Sequence, residues 1–399
     1  MTVLRIDAEA LQQDLLGLLR TSTEVPIGET EVQPGDPRIR AAVDDVIGPM
    51  LEALGPDEVR RHDAGDVAFR FGPASEDGLL LQTYVVSQHG NLMDDPLGAR
   101  LVDGADVGLE GPCAVGQGAS QNKGPMAAVV AAMRAVDIGS LGQPVWVALN
   151  TEGKSSHGGS QRLLDELGVK AAAAVVAIGT DLRVSLGNRG RLDVHLAIPG
   201  SSAHSSQPWL AENPIERVGA LVEALASSPV PARHASLGPA TITPYQLRCE
   251  PVAPHTIPER VTMVVDRRLL PGEAPAKALE ALSQHVWTSA GSDIEVTQGA
   301  SMRPVEVSAG EPVVKALLEG AALAGRDAQT FVSQNAFDAG YAASLGIPTP
   351  MFGPGRRHFA GSGLVGAEAV ALRDCADAAV AYAHAIDALC ASPSIGGPP

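Results

Sequence analysis

Positive charge is in short supply in this 399-residue chain. Lys+Arg number 29 against 46 Asp+Glu, for a formal net charge of −17. A phosphate-reading surface needs a basic excess or a basic stripe, so nucleic acid is not expected as a partner. Cysteine is also sparse: Cys113, Cys249, Cys375 and Cys390 are scattered, with no CxxC pair. That leaves no cysteine zinc site and no disulfide framework, and it suits a reducing compartment. No apolar run approaches ~18 residues without a charge or a glycine, so no membrane span is expected. The opening MTVLRIDAEALQQDLLGLL is amphipathic rather than a basic segment followed by an apolar one, so no signal peptide is expected either. These absences together point to the cytoplasm. Aromatics make up only 3%, but hydrophobic residues reach 45% and charged residues 19%, the composition of a globular enzyme rather than a disordered chain. At this length a single core stops growing and two domains are expected.

What is present is a sequence of alternating periods. Residues 8–20 place Leu11, Leu15, Leu16, Leu18 and Leu19 at helical spacing, and a second helix is expected over 39–54. The apolar runs at 78–86, 144–151 and 171–181 read as buried parallel strands, with helices between them at 123–136 and 160–169, the latter capped by Ser160. Strands alternating with helices predict an α/β domain with a mostly parallel sheet. The texture changes after Asn188. Residues 191–200 alternate like a half-exposed strand, then follow a helix (214–228), strands (241–250 and 260–270), a helix (274–287) and a closing strand (292–299). That pattern is an inserted α+β domain with its helices on one face. From about 304 the α/β character resumes, with a helix at 312–325 and a strand near 347–353; the tail at 392–399 has a disordered composition. The expected organisation is a discontinuous α/β catalytic-type domain (1–187 and 304–399) carrying an inserted lid or dimerisation domain (188–303).

Four segments in this order resemble the aminoacylase, carboxypeptidase G and succinyl-diaminopimelate desuccinylase family of zinc metallopeptidases (family M-twenty). They are GQGASQNKGPMAA at 116–128, NRGRLDVHLAIPGSSAHSSQPWLAENPI at 188–215, HTIPERVTMVVDRRLLPGE at 255–273 and FDAGYAASLGIPTPMFGPG at 337–355. The resemblance implies amide hydrolysis by two zinc ions, a homodimer formed through the lid domain, and a small-molecule substrate. Zinc of this kind is held by His, Asp and Glu, and its bound water becomes the nucleophile.

The family's ligand positions are largely refilled. Its strand ending Gly-His-x-Asp-Val corresponds to Thr83-Tyr84-Val85-Val86, so Tyr84 replaces the first ligand and Val86 the catalytic Asp. The bridging Asp falls on Gln121. The acidic run Glu-Gly-Glu-Glu-Glu falls on Glu152-Gly153-Lys154-Ser155-Ser156, which puts Ser155 at the base position and Ser156 at a ligand position. Asp181 survives; the late ligand falls on His358 or on Phe359, depending on which flanking residues are aligned. Zinc affinity comes from several convergent deprotonated donors. The expectation is therefore the family fold with no metal and no other cofactor. A rearranged ligand set drawn from His89, Asp94, Asp95 and His157 stays open.

Other motifs fail on their spacing. Gly153-Lys154-Ser155 lacks the earlier glycine of a phosphate loop, where Ala148 stands, and Gly116-Gln117-Gly118 ends in Gln121 where a dinucleotide fingerprint needs glycine. A metal-free nucleophilic site remains open, because Lys154, Ser155, Ser156 and His157 stand where the family places its reacting groups. Ser155 and His157 would share a face of an extended loop; the bland alternative is that the serines only fill space.

By the same resemblance, His204 matches the lid His that polarises the scissile carbonyl across the dimer. Arg268 matches the Arg that holds a substrate carboxylate, a task suited to a guanidinium fork; its structural alternative is a strand-face pair with Asp266. Asn213, at a helix start before Pro214, His255, His358 and the backbone of Gly353 and Gly355 complete the expected substrate-binding set. Asp181 without metal becomes a candidate base or an orienting partner. Three readings follow: a metal-independent amidohydrolase-like enzyme acting on a small carboxylate-bearing amide, by hydrolysis or acyl transfer; a non-catalytic binder of small amides or peptides; and a metallohydrolase with a rearranged ligand set.

Overall fold

The computed structural model describes residues 5–26, 29, 32–75, 77–87, 93–152, 156–231, 233–356 and 368–391. Gly153, Lys154, Ser155, His89, His358, Phe359 and the tail at 392–399 lie outside the described residues. The chain divides into two compact units: 1–187, 306–332 and 341–399 form the first, 188–305 and 333–340 the second.

The first unit is built on a nine-stranded sheet. Its strands are β1 (Glu58–Arg61), β2 (Val67–Phe71), β3 (Leu79–Tyr84), β6 (Val145–Asn150), β7 (Ala173–Ala177), β8 (Val184–Asn188), β15 (Val305–Glu306), β16 (Thr330–Ser333) and β17 (Met351–Phe352). They run in the order β1-β2-β6-β3-β7-β17-β8-β15, with β16 also paired to β8. The centre is parallel: β3 pairs β6 and β7, and β17 pairs β7. The margins are antiparallel, at β1–β2, β2–β6 and β17–β8. Every residue of β3 and β6 is buried, as a sheet covered by helices on both faces requires. On one face Leu80, Trp146 and Ala148 meet Leu163, Leu164 and Ala342. The helices Gly124–Ala135 and Leu372–Cys390 cover the other, where Tyr382 stands edge-on to Phe352 at 5.5 Å between ring centroids. A smaller sheet is formed by β4 (Arg100–Asp103), β5 (Pro112–Val115) and β18 (Ala369–Ala371).

Three local expectations need correcting. Ser160 is not an N-cap: the helix already begins at Gly158, with His157 before it, and the Ser160 hydroxyl instead accepts a hydrogen bond from buried Gln82 at 2.8 Å. The strand expected over 347–353 is confined to Met351–Phe352, because residues after it turn to meet the loop following β7. The helix expected over 39–54 spans Pro37–Glu52, interrupted by a π turn at Val43–Ile47.

The second unit is a four-stranded antiparallel sheet in the order β11-β13-β9-β14, from β9 (Gly190–Pro199), β11 (Thr241–Glu250), β13 (Arg260–Leu269) and β14 (Glu295–Met302). Burial alternates along β9 and β13, so each strand presents one apolar and one polar face. Leu192, Val194, Val261 and Val265 pack against Leu221 and Leu225 of the helix Val218–Ala226 and against Leu282 and Val286 of the helix Pro275–Ala290. The opposite face carries Arg191, Asp193, Asp266 and Arg268. A separate ribbon pairs β10 (Ala203–His204) with β12 (Thr256–Ile257). Residues 333–340 join this unit, where Gln334 accepts a bond from Arg189 Nε at 2.7 Å and Gly340 abuts the carbonyl of Arg303.

Candidate active site

The site in the first unit is built where parallel strands end. In an open α/β sheet the carboxyl ends of the strands, freed of helix cover, are where ligands bind. Three loops meet there. Gly179 N donates to the Gln121 carbonyl at 3.2 Å, Asp181 N to Gly355 O at 2.8 Å, and Thr180 N to Gly353 O at 3.2 Å. A Cβ at Gly179 would lie 2.1 Å from the Ser120 carbonyl, and one at Gly355, whose φ is +99°, only 2.4 Å from it. Both positions therefore require glycine. Asn122 Nδ2 ties this turn to the end of β3 by donating to the carbonyls of Tyr84 and Val85 at 3.1 and 3.0 Å. Tyr84, Gln121, Asp181, Gly353 and Gly355 thus belong to one cluster. Tyr84 and Gln121 are buried within it, whereas Asp181 is exposed with φ +59°.

The turn at 118–121 is held by a residue that no motif flagged. Glu368 is fully buried and accepts backbone N–H bonds from Gly118, Ser120 and Gln121, each at 2.9 Å. An anion at the start of the helical run 119–135 satisfies otherwise orphaned donors and complements the helix dipole. Lys123 lies beneath it, donating to Thr21 O at 2.8 Å; burial pulls its amine down to about 8, against the pull of Glu24 and Glu368.

The loop after β6 leaves the same sheet end, since Asn150 is in register with Tyr84. Its chemistry differs from the expectation. His157, with φ −99° and ψ 10°, immediately precedes the helix, buried, its ring 5.7 Å from that of Tyr341; Ser155, expected to share a face with it, lies outside the described residues. The group beside Ser156 is Glu152, whose Oε1 accepts the Ser156 hydroxyl proton, while Gly158 N donates to Ser156 Oγ at 3.0 Å. Glu152 Oε2 in turn accepts from Arg162 Nη1 at 3.1 Å, and Arg162 Nε donates to fully buried Asp66 at 2.5 Å. Asp66 also takes the N–H and hydroxyl of Thr151. The only sequence trace of this network is that Glu152 opens the refilled acidic run; Asp66 and Arg162 carry no motif.

Among the described residues the donor chemistry does not fit paired zinc ions. At the positions expected to correspond to the family's ligands the described side chains are a buried phenol, a buried amide, a hydroxyl and one surviving carboxylate, exposed Asp181. Glu152, the carboxylate of that run, is committed to Arg162 and Ser156. Among the described residues no three His, Cys, Asp or Glu side chains converge as a metal site. Of the rearranged set, Asp94 and Asp95 are exposed and His157 is buried.

In the second unit His204 is exposed, its Nδ1 2.8 Å from Ser206 Oγ, and it stacks on His255 at 5.9 Å, so the structure brings these two residues together. His255 holds a left-handed φ of +54°. Asn213 acts as a cap, accepting from Ile215 N at 3.2 Å and donating to Glu216. Arg268 forms two parallel bonds to Asp266, both 2.8 Å.

Residues 186–293 match the model of a peptidase dimerisation domain. The chain is 29% identical over 207 residues to a putative succinyl-diaminopimelate desuccinylase of Mycobacterium tuberculosis, covering 50% of this chain and 55% of that one. It is 27% identical over 250 residues to a putative LysW-lysine/LysW-ornithine hydrolase of Pyrobaculum aerophilum, covering 62% and 68%. The match to the first of these spans about half of that relative's length. Among solved structures, a metallo-carboxypeptidase of Sulfolobus solfataricus superposes with a TM-score of 0.74 at 17% identity, covering 95% of this chain and 98% of that one. A tripeptidase of Staphylococcus aureus gives 0.71 at 16%, covering 96% and 98%. The likeness to peptidase family M-twenty thus rests on a match to the dimerisation-domain model over residues 186–293 and on a shared fold.

Proposed function

We propose that this protein is an enzyme of the amide-hydrolase type that acts on the C–N bond of a small, carboxylate-bearing amide, by hydrolysis or acyl transfer, and that it does so without the family's paired zinc ions. Relatives named as a desuccinylase, a hydrolase and peptidases support the bond type. The observation that carries the metal-independent part is the donor set: Tyr84, Gln121 and Ser156 at ligand positions, with Glu152 already paired to Arg162. Two dications in such a cluster would lack the anionic donors that offset their charge.

The chemistry then rests on Ser156 and Glu152. Glu152 takes the Ser156 hydroxyl proton as Oγ attacks the amide carbonyl, and the same proton passes to the departing amine as the C–N bond breaks. Water or a second amine then takes the acyl group from Oγ. Arg162 holds Glu152 in place through its Nη1 hydrogen bond. Family resemblance supplies the oxyanion partner, His204 of a second copy, in a homodimer formed through the dimerisation domain.

The test is turnover of a panel of N-acyl amino acids and dipeptides. Ser156→Ala and Glu152→Gln are each expected to lower kcat by roughly 10²–10⁴-fold with KM little changed. Turnover untouched by both substitutions would contradict the assignment. A specific observation favours a second reading, a non-catalytic binder: the Ser156 hydroxyl is bonded on both sides within its turn. Saturable binding of panel members with no turnover by the unsubstituted protein would select it.

A further inference from the structure

Single apolar side chains scattered over a surface are ordinary, but a group of them marks a binding surface. Among the described residues, the three most exposed large apolar side chains are Val252, Trp209 and Leu210, at 93%, 75% and 63%. All three lie on the two turns that flank the stacked pair His204 and His255. Val252 precedes His255 by three residues, a span of at most about 11 Å. Trp209 and Leu210 follow His204 through two consecutive turns: Gln207 N donates to the His204 carbonyl at 2.8 Å, and Leu210 N to the Gln207 carbonyl at 3.1 Å. In a chain with 19% charged residues, neither SSAHSSQPWLA at 201–211 nor PVAPH at 251–255 contains an Asp, Glu, Lys or Arg.

Hydrogen bonds hold the two turns as one piece. Ser201 N donates to Glu212 O at 2.9 Å and Glu212 N to Ser201 Oγ at 2.8 Å, which closes the loop 201–212 at its base. Ser205 N donates to the His255 carbonyl at 2.8 Å and joins this loop to the second turn. Ser206 N donates to His204 Nδ1 at 3.2 Å, so that nitrogen is an acceptor and Nε2 carries the proton. His204 thus presents a hydrogen-bond donor, with bare, uncharged apolar surface on the turns beside it.

An amide carbonyl bears its amine on one side and its acyl chain on the other. A donor bound to the carbonyl oxygen stands about 3 Å from it, so side chains on the same turns reach along the groups attached to that carbon. In an N-acyl amino acid the carboxylate belongs to the amine side, and setting it against a bare indole without a charged partner is unfavourable. The acyl side carries no charge and matches the uncharged turns. We propose that Trp209, Leu210 and Val252 form an apolar platform for the acyl chain of the substrate, which selects N-acyl amino acids with several methylenes in that chain over short ones. The inference rests on the reading that His204 polarises the scissile carbonyl, and it adds the substrate class.

Calorimetric titration of the full chain with N-acetyl-, N-butanoyl- and N-hexanoylglycine tests it, with kcat/KM measured on the same series. Kd is expected to fall at least about tenfold from the acetyl to the hexanoyl compound, about half, on a logarithmic scale, of what full burial of four methylenes gives. Trp209→Ala should shrink that ratio to less than about threefold, whereas Trp209→Phe, which keeps an apolar ring, should retain most of it. Circular dichroism identifies a Trp209→Ala chain that has not folded, in which case Leu210→Ser decides by the same ratio. No saturable binding of the hexanoyl compound, no dependence on chain length, or a ratio unchanged in the folded variant would each overturn the proposal. A Trp209→Ala chain that loses its dimer on gel filtration while keeping the ratio would overturn it too, and assign the patch to a second copy. If the binding series behaves as expected but no member is turned over, the platform stands and only the reading of catalysis fails.

Discussion

Lys123 is a buried charge of the first unit. Its amine sits at about 8 in the folded chain against an ordinary 10.5, because burial strips its water and Glu24 and Glu368 restore only part of the loss. Below about 8 the lysine is protonated in both folded and unfolded chains, and the burial penalty is fully present. Between the two values the unfolded chain binds more protons, so stability rises with pH. From pH 8 to pH 10 the protein should gain about 2 kcal/mol relative to its Lys123→Met variant, read from urea melts at each pH. A difference that does not change with pH would remove the lysine from this role. The helix expected over 123–136 begins at Lys123; nothing in the sequence marks its burial within the field of Glu368, because the two residues lie 245 positions apart. The same holds for Ser156. Its departure from a ligand position was readable, but its pairing with Glu152 depends on a turn that periodicity does not encode.

Elements were legible where one period dominates. The helices Ala8–Leu19 and Pro312–Leu323 and the strands β11 and β13 fall where apolar spacing places them. Short or polar strands such as β1 and β5 were not, because four residues are too few to show a period. The start of the helix at Gly158 escaped because Ser160, a good cap by type, is used by Gln82 instead. Ion-pair networks pin these elements, and they give a prediction at this scale. Arg162 joins the loop after β6 to Asp66, just before β2. Arg162→Met leaves two largely buried carboxylates unpaired and should cost about 3–5 kcal/mol, lowering the melting temperature. Glu368→Gln removes the charge from three backbone hydrogen bonds and should cost about 1–3 kcal/mol while impairing turnover through the Gln121 turn. A Glu368→Gln variant with unchanged melting temperature and unchanged kcat would contradict the positioning role.

At the scale of the whole molecule, the inserted domain was legible from its change of texture at Asn188, and its sheet and helices follow the expected order. The return of residues 333–340 to that unit was not, since the Arg189–Gln334 bond and the approach of Gly340 to Arg303 join positions far apart in the sequence. Among the described residues, no helix is long and apolar enough to cross a membrane. A homodimer in which His204 acts on the partner's site predicts complementation. His204→Ala and Ser156→Ala chains, each inactive alone, should recover about a quarter of the unsubstituted activity when unfolded and refolded together, since half the dimers are mixed and each has one complete site. No recovery would place His204 in its own chain's site or outside catalysis.

The most direct test of the metal-free assignment is elemental analysis of the full chain after equilibration with zinc and gel filtration, paired with turnover in excess chelator. The donor set predicts well under one zinc per chain and turnover unchanged by the chelator. Two zinc ions per chain, with activity lost on chelation and restored by zinc, would contradict it.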